Sequence, residues 1–394
     1  MRWLPPILLA CVLCAAAAPV PTRAQPAPRA AGALTDYGDP NLAALANRLR
    51  KGRPSRLVVT QLGDSHTAAD FFTGQLRHDL QADYGDGGFG WLPPMAVPGL
   101  LHSRVLLGTQ GWTLIDSRTA RDVDFPLGGY IARPDGPWTG TLATPVDPQE
   151  RPGGWTLHVW LRGAPNAVPM TWRNAGQAIS AVPAPPKDGR WHRVSLPVTV
   201  PLTLLANDRY SYDVGGIVLE RATGAQVDAV GNNGSRMAIT NLWGADWLRM
   251  LAERAPDIVV LAFGTNEAMD WALDPAGYAV ALQDATQRIR TALPKAVLLL
   301  IGPPDMVAQA GEPDTRCTPA APIGLQRIHD AQQQVAKATR ALFWDWRQAM
   351  GGPCSMPKWQ AAEDGGADGT HFTAKGYQRA AQLLRQDLKA LSGI

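Results

Sequence analysis

The chain has 394 residues, a length that favours two packed domains. Its 45% hydrophobic and 18% charged residues exclude a disordered chain and a polytopic membrane protein. Lysine and arginine number 37 against 34 aspartates and glutamates, a near balance that offers no bulk electrostatic case for nucleic acid.

Residues 1–24 hold Arg2, a short apolar run over 4–18 and small residues ending at Ala24. This order predicts a secretory signal peptide cleaved after Ala24, since a membrane span needs about 20 apolar residues. Cleavage removes Arg2, Arg23, Cys11 and Cys14, leaving 35 bases against 34 acids and only Cys317 and Cys354. Two cysteines in an exported chain predict one disulfide. Residues 25–38 are Pro/Ala-rich and read as a linker, followed by a short helix over 41–51. The run RLVVTQL at 56–62 has the continuous apolar character of a buried parallel strand and leads into Gly63. A helix over 68–83 follows, ended by the glycines of 85–90.

Between about 99 and 225 the texture changes to short β-type runs, such as 155–161 and 191–200, separated by Pro, Gly and Asp turns. Residues 100–225 are therefore expected to form an inserted antiparallel β-sandwich or jelly-roll domain, with 39–99 and 226–394 making the α/β domain. The α/β rhythm resumes with strands at 226–230, 258–263, 296–301 and 341–344 and helices at 240–255, 275–293, 324–339 and 373–391. With 56–62 this predicts a doubly wound five-stranded parallel sheet, whose chemistry collects outside the carboxyl ends of the strands.

The ends of those strands carry the polar residues. Gly63-Asp64-Ser65-His66 lies at a strand-to-helix turn, where backbone N–H groups can stabilise an oxyanion. Alone, Ser65 is also an ordinary helix cap. Asp368-Gly369-Thr370-His371 precedes the last helix, and its spacing lets the carboxylate meet one ring nitrogen while the other faces Ser65; nucleophile, base and orienter are then all present. Gly264-Thr265-Asn266-Glu267 places a side-chain amide at another strand end, and Gly231-Asn232-Asn233-Gly234 is a turn whose backbone can approach a substrate closely. His66 reads as a locally packed or hydrogen-bonded residue, and Glu267 as either a second acid or a capping carboxylate. Six tryptophans in the insertion (112, 138, 155, 160, 172 and 191) are divided between core and, for one or two, a ligand platform. No zinc or calcium spacing and no cofactor motif is present in the sequence.

Taken in order, Gly-Asp-Ser, a turn glycine, Gly-x-Asn and Asp-x-x-His resemble the four blocks of the SGNH (GDSL) hydrolases. The resemblance implies Ser65 as nucleophile, His371 as base and then acid, and Asp368 as its orienter. It also implies an oxyanion hole from the N–H groups of Ser65 and Gly234 and the Asn266 side chain, with Gly231 the alternative glycine. Glu267 stands where the family often has Asp. The longer stretch 63–91, the insertion and the leader resemble the bacterial peptidoglycan O-acetylesterases, in which a β domain similar to carbohydrate-binding modules interrupts the hydrolase domain. That likeness implies a periplasmic, cofactor-free serine esterase acting on O-acetylated peptidoglycan, with no nucleic-acid partner and no membrane span in the mature protein. The rival readings are an O-acetyltransferase, another carbohydrate or acyl-chain esterase, and a non-catalytic wall-binding protein. The α/β-hydrolase elbow G-x-S-x-G is absent, because Thr67 occupies its last position.

Overall fold

A computed structural model describes residues 28–51, 56–174, 178–270, 272–308 and 313–393; the expected signal peptide over 1–24 lies outside them. Five parallel strands form the centre of the main sheet. Their spatial order is Leu342–Trp344, Val297–Ile301, Ile258–Ala262, Arg56–Gly63 and Gly224–Gly231. Valine, isoleucine and leucine dominate them because both faces are covered: Val259 and Leu261 enter one apolar cluster, while Ile258, Val260 and Ala262 enter the other. Chain order reverses beside the strand Arg56–Gly63, whose neighbours are the second and third parallel strands. A crevice therefore opens at the carboxyl ends of those three strands.

Among the described residues the sheet has seven strands, the five parallel ones expected and two more that make its edge mixed. Leu34–Asp36 runs antiparallel to Leu342–Trp344, and Arg29–Ala31 pairs antiparallel with it in turn. Residues 29–36 are therefore strand and turn where a linker was expected. Three-residue strands are too short to show a periodicity. What fixes them is burial of Leu34 and of Asp36, which receives the Gly38 and Asp39 N–H groups at 2.8 Å.

The expected helix over 68–83 is broken. A single turn, Ser65–Ala68, ends before Asp70, whose φ of 52° is left-handed, and the helix Phe71–Tyr84 begins beyond it. Buried Arg77 holds the Asp70 carboxylate in that conformation with Nη1 and Nη2 at 3.0 and 2.9 Å, while Ser103 N–H donates to it at 2.7 Å. Burial alone would raise the Asp70 carboxyl, but the guanidinium outweighs it and holds the group well below the usual carboxylate range. The helix expected over 240–255 is likewise divided, into the 3₁₀ turn Met237–Leu242 and the helix Trp247–Arg254.

Two antiparallel sheets occupy the middle of the chain and share one apolar core. Alternate residues Trp155, Leu157, Val159 and Leu161 of one sheet meet Leu202, Leu204 and Ala206 of the other. Gly88–Leu92, which the sequence reading left outside the insertion, pairs antiparallel with Asp213–Glu220, so this part of the structure begins near Gly88. It rejoins the main sheet at Gly224. Buried Arg254 fastens the junction: Nε donates to Asp228 Oδ2 at 3.0 Å, Nη2 to Gln226 Oε1 at 2.8 Å, and Nη1 to Glu220 Oε2 at 2.6 Å. Asp228 Oδ1 also accepts the Trp91 N–H at 2.9 Å. Cys317 and Cys354 are joined in a disulfide with Cα atoms 5.2 Å apart.

Candidate active site

Gly63 ends the strand that delivers Ser65. A Cβ there would lie 2.1 Å from Thr67 Oγ1 and 2.7 Å from the Ala262 carbonyl, so only glycine lets the chain turn this tightly against its neighbouring strand. Asp64 then caps the short turn, its Oδ1 accepting the His66 N–H at 3.0 Å. Ser65 Oγ lies 2.8 Å from His371 Nε2, and His371 Nδ1 lies 2.7 Å from Asp368 Oδ2. The other carboxylate oxygen, Oδ1, accepts the backbone N–H groups of Thr370 and His371 at 3.0 and 2.9 Å. Burial raises the Asp368 carboxyl, but these donors outweigh it, and the group is held below its ordinary range. The His371 and Asp368 side chains remain 41% and 51% exposed, so water reaches the relay. Residues 306 positions apart in the chain are thus brought into one hydrogen-bonded line by the two helix starts that flank the crevice.

The second and third strand ends meet beside Ser65. Asn266 Nδ2 donates one of its two hydrogens to the Ser235 carbonyl at 2.9 Å, which fixes the amide and leaves the other hydrogen to point elsewhere. Gly231 and Gly234 have different reasons to be glycine. A Cβ on Gly231 would lie 2.3 Å from the Ala68 nitrogen, which makes this glycine a packing requirement between strand and turn. Gly234 has open space where a Cβ would be and a φ of 69°, so its requirement is conformational. Neither the Gly234 N–H nor the Ser65 N–H has a hydrogen-bond partner among the described residues.

Beneath the relay is a buried layer. His66 faces away from Ser65, with Nδ1 2.9 Å from the Tyr377 hydroxyl and its ring 5.2 Å from that of His371. Burial pushes His66 down to about 3, with the neighbouring His371 adding to the effect, so it stays a neutral imidazole near neutral pH. Two carboxyls share the floor. Burial pushes Asp64 up to about 7 and Glu267 up to about 7. Glu267 is 5% exposed and its Oε1 accepts the Met237 N–H at 2.6 Å, which ties the segment after Gly234 to the strand end carrying Asn266. It is therefore a buried tie and not an acid facing solvent.

Sequence reasoning overlooked one residue that reaches this site. Arg118, from the antiparallel part of the chain, donates from Nη1 to the Asn233 carbonyl at 2.6 Å. Its only signal was the short Asp116-Ser117-Arg118 run, which says nothing about a contact 115 positions away. Of the insertion's tryptophans, 155, 160 and 191 are fully buried, whereas Trp138 is 83% exposed. Among the described residues no group of three or more His, Cys, Asp or Glu could hold a metal ion, and no helix is long and apolar enough to cross a membrane.

A solved structure of a peptidoglycan O-acetylesterase superposes on this chain with a TM-score of 0.80 and 32% identity, covering 92% of this chain and 99% of the other. The chain belongs to the peptidoglycan O-acetylesterase family. The model of the family's N-terminal region matches residues 87–203, and the GDSL-like lipase/acylhydrolase model matches residues 207–379. The first of these begins beside the strand Gly88–Leu92, in agreement with its pairing. More distant likenesses include a GDSL-like lipase from Parabacteroides merdae, 16% identical over 43% of this chain and 73% of the other, with a TM-score of 0.34. A family two carbohydrate esterase from Cellvibrio japonicus is 9% identical over 73% of this chain and 98% of the other, with a TM-score of 0.30. No curated protein matches the chain. A peptidoglycan O-acetylesterase family member with a GDSL-like acylhydrolase domain is a serine esterase of the SGNH type.

Proposed function

We propose that this chain is an exported esterase that removes O-acetyl groups from peptidoglycan sugars through an acetyl-Ser65 intermediate. The observation that carries this reading is the line Ser65 Oγ, His371 Nε2, His371 Nδ1, Asp368 Oδ2, with separations of 2.8 and 2.7 Å, at the crevice of a peptidoglycan O-acetylesterase family fold. With Nδ1–H donated to Asp368, Nε2 is left as the acceptor for the Ser65 hydroxyl proton. Ser65 Oγ attacks the acetyl carbonyl carbon as His371 takes that proton. The tetrahedral oxyanion is received by the N–H groups of Ser65 and Gly234 and by the free hydrogen of Asn266 Nδ2. His371 then protonates the departing sugar oxygen. Water, activated by the same ring, attacks the acetyl-serine and releases acetate. Each oxyanion donor lowers the barrier by about 3 kcal/mol, because the donors are held in place before charge develops.

The antiparallel insertion is assigned to the polymer. A groove of about 330 Å³ runs between Ala69 and Phe71 beside the nucleophile turn and Leu101, His102, Val105 and Leu107 of the insertion, so a chain lying there contacts both parts. We assign the carbohydrate-binding role to this β-sandwich and the location to the periplasm, a reading supported by the signal-peptide pattern expected over 1–24 and by the Cys317–Cys354 disulfide. The test is release of acetate from O-acetylated peptidoglycan beside acetylated xylan, with chito-oligosaccharide present as an acceptor. Faster acetate release from peptidoglycan supports the reading. Preference for xylan would move the substrate to another polysaccharide, and acetyl transfer to chito-oligosaccharide exceeding acetate release would make the chain a transferase.

A further inference from the structure

We infer that Arg118 of the antiparallel insertion is a positioning residue of the oxyanion hole, holding the Asn233–Gly234 peptide so that the Gly234 N–H points at the developing charge. This rests on the assignment of Gly234 as an oxyanion donor. The Asn233 carbonyl and the Gly234 N–H are the two ends of one planar trans peptide and point in opposite directions. Whatever fixes the oxygen therefore fixes the hydrogen. Arg118 Nη1 donates to that oxygen at 2.6 Å from the side away from the N–H.

The turn is closed by the Ser235 N–H donating to the Asn232 carbonyl at 3.2 Å, a bond that type I and type II turns share and that leaves the orientation of the central Asn233–Gly234 peptide open. Its ends are anchored: Asn232 N–H donates to the Gly63 carbonyl at 2.9 Å, Asn232 Nδ2 to the Gly128 carbonyl at 2.8 Å, and the Ser235 carbonyl accepts Asn266 Nδ2 at 2.9 Å. Between these anchors Gly234 has a φ of 69° and no heavy atom within 4 Å of where a Cβ would stand, so packing does not hold the peptide. Among the described residues, Arg118 makes the only hydrogen bond to either end of the Asn233–Gly234 peptide.

Arg118 is itself braced. Nε and Nη2 donate to Asp116 Oδ2 at 2.8 and 2.6 Å, and the Arg118 N–H donates to Asp116 Oδ1 at 2.8 Å. Asp116, its side chain 9% exposed, ends the strand Trp112–Asp116, and its carbonyl accepts the Thr119 and Ala120 N–H groups of the following turn. One edge of the guanidinium is thus occupied by Asp116 and the remaining nitrogen is aimed at Asn233. A guanidinium N–H on the carbonyl also draws electron density along the amide, making its N–H a stronger donor. By this route a residue of the insertion acts on the chemical step without touching substrate.

The experiment measures kcat and KM for 4-nitrophenyl acetate, a substrate too small to need the insertion for binding. Arg118→Met, with its melting temperature recorded, should lower kcat by about tenfold and leave KM within about twofold. Arg118→Lys should recover part of the loss, because an ammonium keeps the charge and one donor but not the fork. Asp116→Asn, which removes the brace and keeps the arginine, should fall between Arg118→Lys and wild type. Inactivation by an aryl phosphonate, whose addition places an oxygen in the same hole, should slow in parallel with kcat. Asn266→Ala run alongside separates the two levels of the account. If it leaves kcat unchanged, the oxyanion-hole assignment itself fails. If it lowers kcat while folded Arg118→Met does not, this inference alone is overturned. A loss in Arg118→Met confined to KM, or one matched by a lower melting temperature and unrelieved by lysine, also overturns it. Should Arg118→Met not fold, Arg118→Lys and Asp116→Asn decide: wild-type kcat in both refutes the role.

Discussion

Replacing Glu267 by glutamine should remove a pH-dependent loss of stability seated in the floor of the site. Burial pushes the Glu267 carboxyl from 4.5 up to about 7, against the Met237 N–H, which favours the ionised form. The unfolded chain releases this proton near the ordinary value, whereas the folded chain keeps it until about pH 7. Across that window the native state binds more protons, so the contribution of Glu267 to stability is complete below about 4.5 and is lost as pH rises through about 7. At about 1.36 kcal/mol per pH unit, the rise corresponds to about 3 kcal/mol. Glutamine keeps the volume and the oxygen that accepts the Met237 N–H but cannot ionise. Asp64 is pushed up to about 7 chiefly by its own burial, with the Glu267 charge adding to the rise, so the variant keeps most of the Asp64 slope and loses the part due to Glu267. Urea unfolding at about pH 5 and at about pH 7.5 should therefore show the wild type losing about 2 kcal/mol more than Glu267→Gln on going to the higher pH, part of the loss having occurred below about pH 5. An identical change in both proteins would refute a neutral Glu267 in the folded state.

Three further outcomes follow from the same geometry. Arg254→Met should destabilise the protein by about 3–5 kcal/mol in chemical denaturation, since it leaves the Asp228 and Glu220 carboxylates without the buried guanidinium that neutralises them; a loss below about 1 kcal/mol would show that the junction tolerates unpaired charge. His66→Ala should lower stability by about 2–4 kcal/mol through the cavity it leaves, yet retain turnover within about tenfold in the folded fraction, whereas His371→Ala should abolish turnover; the reverse ranking would exchange their roles. Asn266→Ala should reduce kcat by about a hundredfold with a smaller effect on KM, and an effect on KM alone would make Asn266 a substrate contact.

The parallel strands were legible because burial on both faces writes continuous apolar runs such as Ile258–Ala262 and Val297–Ile301 into the sequence. That Ser65, His371 and Asp368 come together was legible because their motifs stand intact at a strand end and just before a helix, the places that the sheet topology brings to one edge. Other features left no such trace. The edge strands Arg29–Ala31 and Leu34–Asp36 are held by pairing with Leu342–Trp344 and not by local propensity. The break at Asp70 depends on Arg77 and Ser103 closing around one carboxylate, a tertiary event that overrides a helical pattern. Gly231 and Gly234 look alike in sequence and separate only through a steric contact at one and a dihedral angle at the other. Arg118 was missed for a related reason, since its contact joins the turn after one strand to an insertion whose packing the sequence does not record.

The most direct test of the account is acetate release from O-acetylated peptidoglycan by the wild-type protein and by Ser65→Ala, each shown by thermal melting to be folded. The wild type should turn over, and Ser65→Ala should lose activity by several orders of magnitude, because only background catalysis survives removal of the nucleophile. A folded Ser65→Ala variant that keeps more than about a tenth of wild-type turnover would contradict the acetyl-Ser65 mechanism.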